Sequence, residues 1–415
     1  MEEDESQSIK LAKTAIIAFG LISLFGDIIY EGARSSIPTY LELLGASAVV
    51  VGFAIGLGEF VGYALRLVSG YVADTTKAYW ALTIMGYGLI ISIPLLALAF
   101  DWRIAVLLVI IERLAKAIRT PARDTLISVT TKGIGRGKAF GLHELFDQIG
   151  ATVGPAMMAF VVYYYSMKNV SLLEQFRTAF LVLFIPYALL LVVLLSGYLK
   201  MRAPAARALD IARKTEIKEK LTGSFYLYSF AVMLNTAGLF HIALILYLAS
   251  YIFENTLWLV PILYLLVQGI DAATAPLSGA AYDRYGRKTL MLPFVLSVAP
   301  TLFIAMMFVE IEFIVIAEPI LLVIAVLFFG IILGMQESIY RAAVADMTGV
   351  KKRGTGYGIF NTAYGLGFLL SGVVLGYFLD MIRGGNAVFV IYAVLYSVLM
   401  QVFAVVLLAL SIKKQ

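Results

Sequence analysis

The sequence has no cysteine and few charged residues, and each shortage excludes a class of protein. Without cysteine the chain can form no disulfide framework, no attached haem and no cysteine-ligated metal site. Only 14% of its 415 residues are charged, against about 25% in an average soluble protein. It also contains no ATP-binding loop, no metalloprotease helix motif and no separate soluble domain. We therefore expect a protein that is not an enzyme.

Apolar residues fill the space that charged residues leave. The chain is 61% hydrophobic with a mean hydropathy of +0.92, and its apolar runs reach roughly 20 residues, the length that crosses a bilayer. These runs are too long for barrel strands, so they predict helices. We predict an all-α integral membrane protein with twelve transmembrane helices. The predicted spans are 14–41, 48–72, 78–100, 104–129, 137–165, 176–200, 222–252, 256–281, 288–310, 314–345, 354–381 and 387–412.

One long charged link, 201–221, separates two sets of six spans. We predict an N-terminal six-helix bundle at 1–200, a cytoplasmic linker at 201–221 and a C-terminal six-helix bundle at 222–415. Lys and Arg number 21 in the segments predicted to face inward and four in those facing outward, which predicts a cytoplasmic-membrane protein with both termini in the cytoplasm.

The basic balance of the chain has the same explanation. A net charge of +5 and a pI near 9.0 arise from these short loops, so we expect no nucleic-acid partner. The acidic start MEEDESQSIK is unlike a signal peptide, so we expect the first span to be retained.

The two halves share matching loop sequences. Ser69–Asp74 ends span two and Ser278–Asp283 ends span eight, 209 residues later. Arg136–Gly141 and Arg353–Gly358 open spans five and eleven, 217 residues apart. Two matched pairs at nearly one offset indicate a parallel duplication. The two bundles would then be related by a pseudo-two-fold axis along the membrane normal, with a binding site between them.

This layout and its loops resemble the major facilitator superfamily. The signature after span eight is carried by Gly279, Asp283, Arg284, Gly286 and Arg287, and after span two only Gly70 and Asp74 match. Arg113 stands where the superfamily has an arginine embedded in span four, and Gly150, Gly154 and Pro155 resemble the motif associated with antiporters. The resemblance implies a secondary active transporter that works by alternating access, in an efflux-like, proton-coupled antiporter branch.

The charges within the spans lie on single helical faces. Glu112, Lys116, Arg119 and Arg123 follow one another at helical spacing in span four, as do His143, Asp147, Gly150 and Gly154 in span five. A tight turn between these spans predicts that Arg123 pairs with Glu144, that Asp124 lies level with His143, and that Arg119 lies near Asp147. We therefore predict structural ion pairs among Arg123, Asp124, His143 and Glu144.

Three carboxylates of spans one and two, Asp27, Glu31 and Glu59, are predicted to cluster within the membrane. They cannot all carry charge cheaply in a medium of low dielectric, so one is expected to bind a proton. Arg34 and Arg113 would neutralise the others. The residues predicted to serve proton coupling or the substrate cavity are Asp27, Glu31, Arg34, Glu59, Arg113, Lys116, Arg119, Asp147, Gln268, Asp271 and Asn361.

The sequence thus predicts a monomeric, proton-coupled exporter of a small molecule that needs no cofactor, since the proton gradient supplies the energy. Two alternatives stay open. A divalent-metal exporter would use Asp27, Glu31, His143 and Asp147 as hard ligands, and an organic-anion transporter would use Arg34, Arg113, Lys116 and Arg119. We also expect a cytoplasmic gate, in which Asp283 docks on the start of span eleven and Asp74 on the start of span five.

Overall fold

The computed structural model describes residues 2–131, 136–211, 221–308, 312–348 and 353–413. Within these ranges every regular element is a helix. The helices before residue 212 are α1 (Glu2–Leu43), α2 (Ala48–Thr76), α3 (Tyr79–Gly88), α4 (Trp102–Thr130), α5 (Arg136–Ser166), α6 (Leu172–Val182) and α7 (Phe184–Ile211). Two 3₁₀ turns, Leu89–Ser92 and Pro94–Leu98, continue α3. Because α7 reaches Ile211, the first half of the predicted linker is helical.

The helices after residue 220 include several short pieces. They are α8 (Gly223–Ala237), α9 (Ile242–Ile252), α10 (Leu259–Tyr285), α11 (Met291–Leu296), α12 (Ala299–Met306), α13 (Glu312–Met335), α14 (Arg341–Met347), α15 (Arg353–Arg383) and α16 (Val388–Lys413). A π-helical turn, Gln336–Tyr340, joins α13 to α14. Such turns in longer helices mark places where the regular hydrogen-bond ladder shifts by one residue.

Ten helical segments of the described chain are long and apolar enough to cross a membrane. The helix α4 is not one of them although it has 29 residues, because charged side chains interrupt its apolar sequence. Predicted spans eight and nine lie on one continuous segment, Leu259–Met306. These two differences account for the gap between the ten segments and the twelve predicted spans. The number of twelve spans stays a prediction.

The chain forms two compact units, and two segments from before residue 201 belong to the second of them. The first unit contains Met1–Arg34, Leu65–Ala99 and Leu107–Glu216. The second contains Ser35–Ala64, Phe100–Val106 and Ile217–Gln415. The second unit therefore includes the later part of α1 and the earlier part of α2. The predicted bundle boundaries stay a prediction.

Glycines bring helices into backbone contact inside each unit. In the first unit, a Cβ added at Gly150 of α5 would lie 2.6 Å from the carbonyl oxygen of Leu24 in α1, and one at Gly154 would meet the carbonyl of Ile28. In the second unit, a Cβ at Gly52 of α2 would meet the backbone of Gly372 in α15. Only glycine leaves room for these close approaches, because any side chain would meet the backbone of the facing helix.

Candidate functional site

Three cationic side chains converge on one tyrosine in the first unit. The Lys116 Nζ atom lies 3.7 Å from the centroid of the Tyr30 ring, and the Cζ atoms of Arg113 and Arg34 lie 4.7 Å and 5.6 Å from it. Arg34 Nη1 donates a hydrogen bond to the Tyr30 hydroxyl oxygen at 3.1 Å, and Arg113 Nη1 donates to the same oxygen. Sequence reasoning missed Tyr30. Its position four residues before Arg34 and three after Asp27 is the signal that could have found it.

The arginines of this region have long ion pairs with carboxylates. Arg34 Nη1 lies 3.8 Å from Glu31 Oε1. Glu112 is shared, with Arg113 Nε 3.6 Å from one of its oxygens and Arg119 Nη2 3.6 Å from the other. Charge-assisted hydrogen bonds are usually 2.7–2.9 Å long, roughly 1 Å shorter. In these three pairs, the carboxylate balances the charge of the guanidinium group at a distance longer than a hydrogen bond.

Asp27 lies at the contact between α1 and α5. Its Cβ is 2.9 Å from the position of a Cβ added at Gly150, and the side chain is partly buried. The charged groups that act on it are Asp147, Lys116, Glu31 and Arg123. Within the described ranges, Asp27 makes no ion pair shorter than 4 Å. Asp27 thus lies inside a predicted span. Two other carboxylates repel its charge, and two cations attract it.

The predicted pairing between α4 and α5 is wrong in its partners. Arg123 Nη2 pairs with its neighbour Asp124 at 2.9 Å, and Arg123 Nη1 donates to the Ser23 hydroxyl at 3.1 Å. The predicted partner of Arg123, Glu144, is exposed. The physical reason is that the Arg123 side chain extends toward α1 instead of α5.

His143 and Arg119 also have partners other than those expected. His143 Nδ1 lies 3.3 Å from Asp147 Oδ2 on its own helix, and its Nε2 is 2.9 Å from the Ser23 hydroxyl. Arg119, expected near Asp147, pairs with Glu112 and lies over the Tyr87 ring. Helical periodicity gave the correct face for each residue, but it does not fix which neighbour a long side chain reaches.

Four of the candidate residues lie in the second unit. Glu59, Gln268 and Asp271 are buried and Asn361 is partly buried. The backbone of Glu59 meets α15, since its carbonyl oxygen lies 3.2 Å from a Cβ added at Gly365. Whether these residues share a substrate cavity with those of the first unit stays a prediction.

A buried amide network occupies the middle of the second unit. Asn235 Nδ2 donates to Ser297 Oγ at 3.1 Å and to Gln401 Oε1 at 2.6 Å. Asn235 Oδ1 accepts from the Tyr340 hydroxyl at 2.7 Å and from Gln336 Nε2 at 3.3 Å. All four hydrogen-bonding positions of the amide are therefore used. This network was not predicted, because its members come from four distant segments.

The motif at the end of α10 joins that helix to α14. Gly286 has φ +62 and caps α10, a conformation that favours glycine. Arg287 Nη2 donates to the carbonyl oxygen of Asp346 at 3.1 Å, and the Tyr282 hydroxyl donates to Asp346 Oδ2 at 2.8 Å. Asp283 and Arg284 are exposed. Asp346, which the sequence did not single out, is thus the residue that this motif contacts.

The predicted docking of the two motif aspartates stays a prediction. The first turns of α5 and α15 include or adjoin residues 132–135 and 349–352, which lie outside the described ranges. Asp74 is exposed and accepts a hydrogen bond from the Tyr79 hydroxyl at 2.9 Å.

The alternative metal site is not assembled. Among the residues that the structure describes, no three His, Asp or Glu side chains are placed to hold one metal ion. The set Asp27, Glu31, His143 and Asp147 therefore does not form a shared ligand shell, because His143 and Asp147 pair with each other and Glu31 pairs with Arg34.

The chain belongs to the Major Facilitator Superfamily, whose family model matches residues 15–317 and 227–414. It is therefore a secondary transporter embedded in a membrane, with several helical spans, and not an enzyme. It is 34% identical to the uncharacterized protein Rv2265 of Mycobacterium tuberculosis over 397 residues, 94% of this chain and 92% of the relative.

More distant similarities agree with this membership. Over 162 residues, 38% of this chain and 39% of the relative, it is 30% identical to the multidrug resistance protein MdtH of Photorhabdus laumondii. The nucleoside transporter NupG has the same fold, with a TM-score of 0.71 at 14% identity over 95% of this chain and 99% of that protein.

Proposed function

We propose that the protein is a proton-coupled exporter of a small molecule across the cytoplasmic membrane. It would act as a monomer with twelve spans and both termini in the cytoplasm, and it would use the proton gradient without a cofactor. The Lys and Arg bias of 21 to four supports the orientation.

The internal geometry of the two motif copies supports the duplication. A Cβ added at Gly70 of α2 would lie 3.5 Å from Pro121 in α4. One at Gly279 of α10 would lie 3.1 Å from Ser338 in the π-helical turn. In the predicted numbering of the spans, span two therefore contacts span four in the first copy. Span eight contacts span ten at the equivalent place in the second copy.

The single observation that carries proton coupling is the position of Asp27. This carboxylate lies beside Gly150 at the contact between α1 and α5, and the charged groups around it are the carboxylates Asp147 and Glu31 and the cations Lys116 and Arg123. A group whose charge depends on such opposed neighbours can change its protonation when one neighbour moves. Because α1 and α5 are in backbone contact at Gly150 and Gly154, a small shift of either helix would alter these distances.

The direction of transport has weaker but separate support. The glycine and proline pattern in α5 resembles the motif associated with antiporters, and MdtH, named as a multidrug resistance protein, matches part of the chain. In an exporter driven by antiport, a proton that enters through Asp27 would be exchanged for substrate, and its inward movement would drive the release of substrate to the outside.

The test is transport by proteoliposomes that carry an internal pH dye and face an imposed pH gradient. Ethidium, tetraphenylphosphonium and benzoate serve as probes. In the wild type, we expect transport of at least one probe to be accompanied by proton movement that the dye detects. In Asp27→Asn, we expect this proton movement to stop. The matched control is Asp101→Asn, which removes a carboxylate that pairs with the exposed Arg103 and should keep coupling. Transport that ignores the gradient, or that stays coupled in Asp27→Asn, contradicts the proposal.

A further inference from the structure

We propose that Tyr30 and the three cations around it form a subsite for an oxyanion, a carboxylate or phosphate group on the transported molecule. The subsite consists of Tyr30, Arg34, Arg113 and Lys116, and it rests on the proposed transport function. It would select substrates with a negative charge over substrates with a positive charge.

The first argument is the direction in which the arginines donate. Arg34 and Arg113 both donate hydrogen bonds to the neutral hydroxyl oxygen of Tyr30. The ion pair of Arg34 with Glu31 is 3.8 Å long, and that of Arg113 with Glu112 is 3.6 Å long. Hydrogen bonds from a guanidinium to an ionised oxygen are roughly twice as strong as those between neutral groups. An incoming oxyanion would therefore be a better acceptor for the same two donors than the phenol that now accepts from them.

The second argument is the position of Lys116. Its ammonium faces the Tyr30 ring at 3.7 Å, a cation–π contact. Within the described ranges it makes no ion pair shorter than 4 Å. An ammonium is strongly hydrated and usually keeps three hydrogen-bond acceptors. Lys116 is partly buried, so it can turn from the ring toward an anion without first breaking an ion pair.

The third argument is the prevalence of cations among the side chains around Tyr30. The cations linked to Tyr30 or close to Lys116 are Arg34, Arg66, Arg113 and Lys116. The carboxylates close to Lys116 are Asp27 and Glu31. A surrounding in which cations are the majority favours an anion over a cation.

The fourth argument is access. The Arg34 side chain is 21% exposed, whereas that of Arg113 is 3% exposed. Arg34 and Lys116 would therefore meet the anion first, and Arg113 would hold it from behind. This order predicts that substitutions at Arg34 and Lys116 change affinity without disturbing the enclosed Arg113–Glu112–Arg119 set.

The experiment measures thermal unfolding of the purified full-length protein in detergent, with benzoate and phenyl phosphate as probe anions. Sodium chloride at matched ionic strength and tetraphenylphosphonium chloride are the comparison solutes. We expect both anions to raise the unfolding temperature above the chloride value and the cation not to do so. Lys116→Met and Arg34→Gln should each raise the anion dissociation constant about tenfold. Arg103→Gln, at an exposed arginine, should not change it.

Two further variants keep the test decisive if Lys116→Met does not fold. Lys116→Arg preserves the charge and should bind both anions. Tyr30→Phe removes the competing hydroxyl acceptor but keeps the ring, so it should bind them as tightly as the wild type or more tightly. The proposal is overturned if the anions act no more strongly than chloride, or if the affinities are unchanged in the charge-removing variants.

The result is separable from that of the proton-coupling test. Anion binding in detergent needs no gradient, so its failure leaves coupling through Asp27 untouched. Conversely, a protein that binds benzoate but transports without regard to pH would contradict the coupling and keep the subsite.

Discussion

The region around Tyr30 in the first unit has a charged interior, whereas the region around Asn235 in the second unit has a neutral hydrogen-bonded one. Near Tyr30, the ion pairs of Arg34 with Glu31 and of Arg113 and Arg119 with Glu112 are 3.6–3.8 Å long. Around Asn235, four neutral partners use every position of one amide at 2.6–3.3 Å. A saturated neutral network favours one arrangement, whereas loosely paired charges can exchange partners. The comparison supports the proposal that ions and protons bind in the first unit, and it identifies a saturated hydrogen-bonded network in the second.

Removal of Glu112 should give the largest loss of stability in the charged interior. Glu112→Gln leaves the buried Arg113 and Arg119 without their shared carboxylate, at an expected cost of about 3–5 kcal/mol. Thermal unfolding in detergent measures it. The control is Glu174→Gln, because the exposed Glu174 pairs with Arg177 at a shorter 2.6 Å and should cost less than about 1 kcal/mol. Equal losses would mean that burial does not distinguish the two pairs.

The neutral interior should respond almost as strongly to the loss of its central amide. Asn235→Leu removes a partner from buried groups of Gln401, Tyr340 and Gln336, and an unsatisfied buried group costs about 1–3 kcal/mol. Because Gln336 and Gln401 each keep another hydrogen bond, we expect a total loss at the lower end of the sum, about 3 kcal/mol. The same unfolding measurement applies. Asn386→Leu, at an exposed position of the second unit, is the matched control. If both substitutions have the same effect, the network does not stabilise the second unit.

A smaller effect is expected where a carboxylate caps a helix within the second unit. Asp380 Oδ1 and Oδ2 accept hydrogen bonds from the backbone N–H groups of Ala48 and Val49 at 2.7 Å and 2.9 Å. Asp380→Ala removes this cap from the start of α2 and should lower stability by about 1 kcal/mol. Asp380→Asn, which keeps an acceptor, should lose less. An alanine variant as stable as the wild type would show that solvent replaces the cap.

Local sequence patterns predicted the helices and the faces on which some residues lie. Apolar run length predicted membrane helices because the bilayer requires each backbone polar group to bond within its own segment. The spacing of Gly150 and Gly154 is typical of a face that another helix can approach closely, but it did not indicate that this helix is α1. Periodicity also placed Glu112, Lys116 and Arg119 on one face of α4.

The tertiary structure decided which polar groups of different helices meet. Arg123 bonds to Asp124 on its own helix and to Ser23 of α1 instead of Glu144, because helix rotation and a long flexible side chain select among partners at similar depth. Tyr30 gathers three cations, and Asn235 gathers groups from four segments that no single stretch of sequence contains. The segment Ser35–Ala64 belongs with the second unit, although it lies in the first sixth of the chain. The sequence places ion-pair partners on the same helix, and the packing of distant helices determines which other groups these side chains reach.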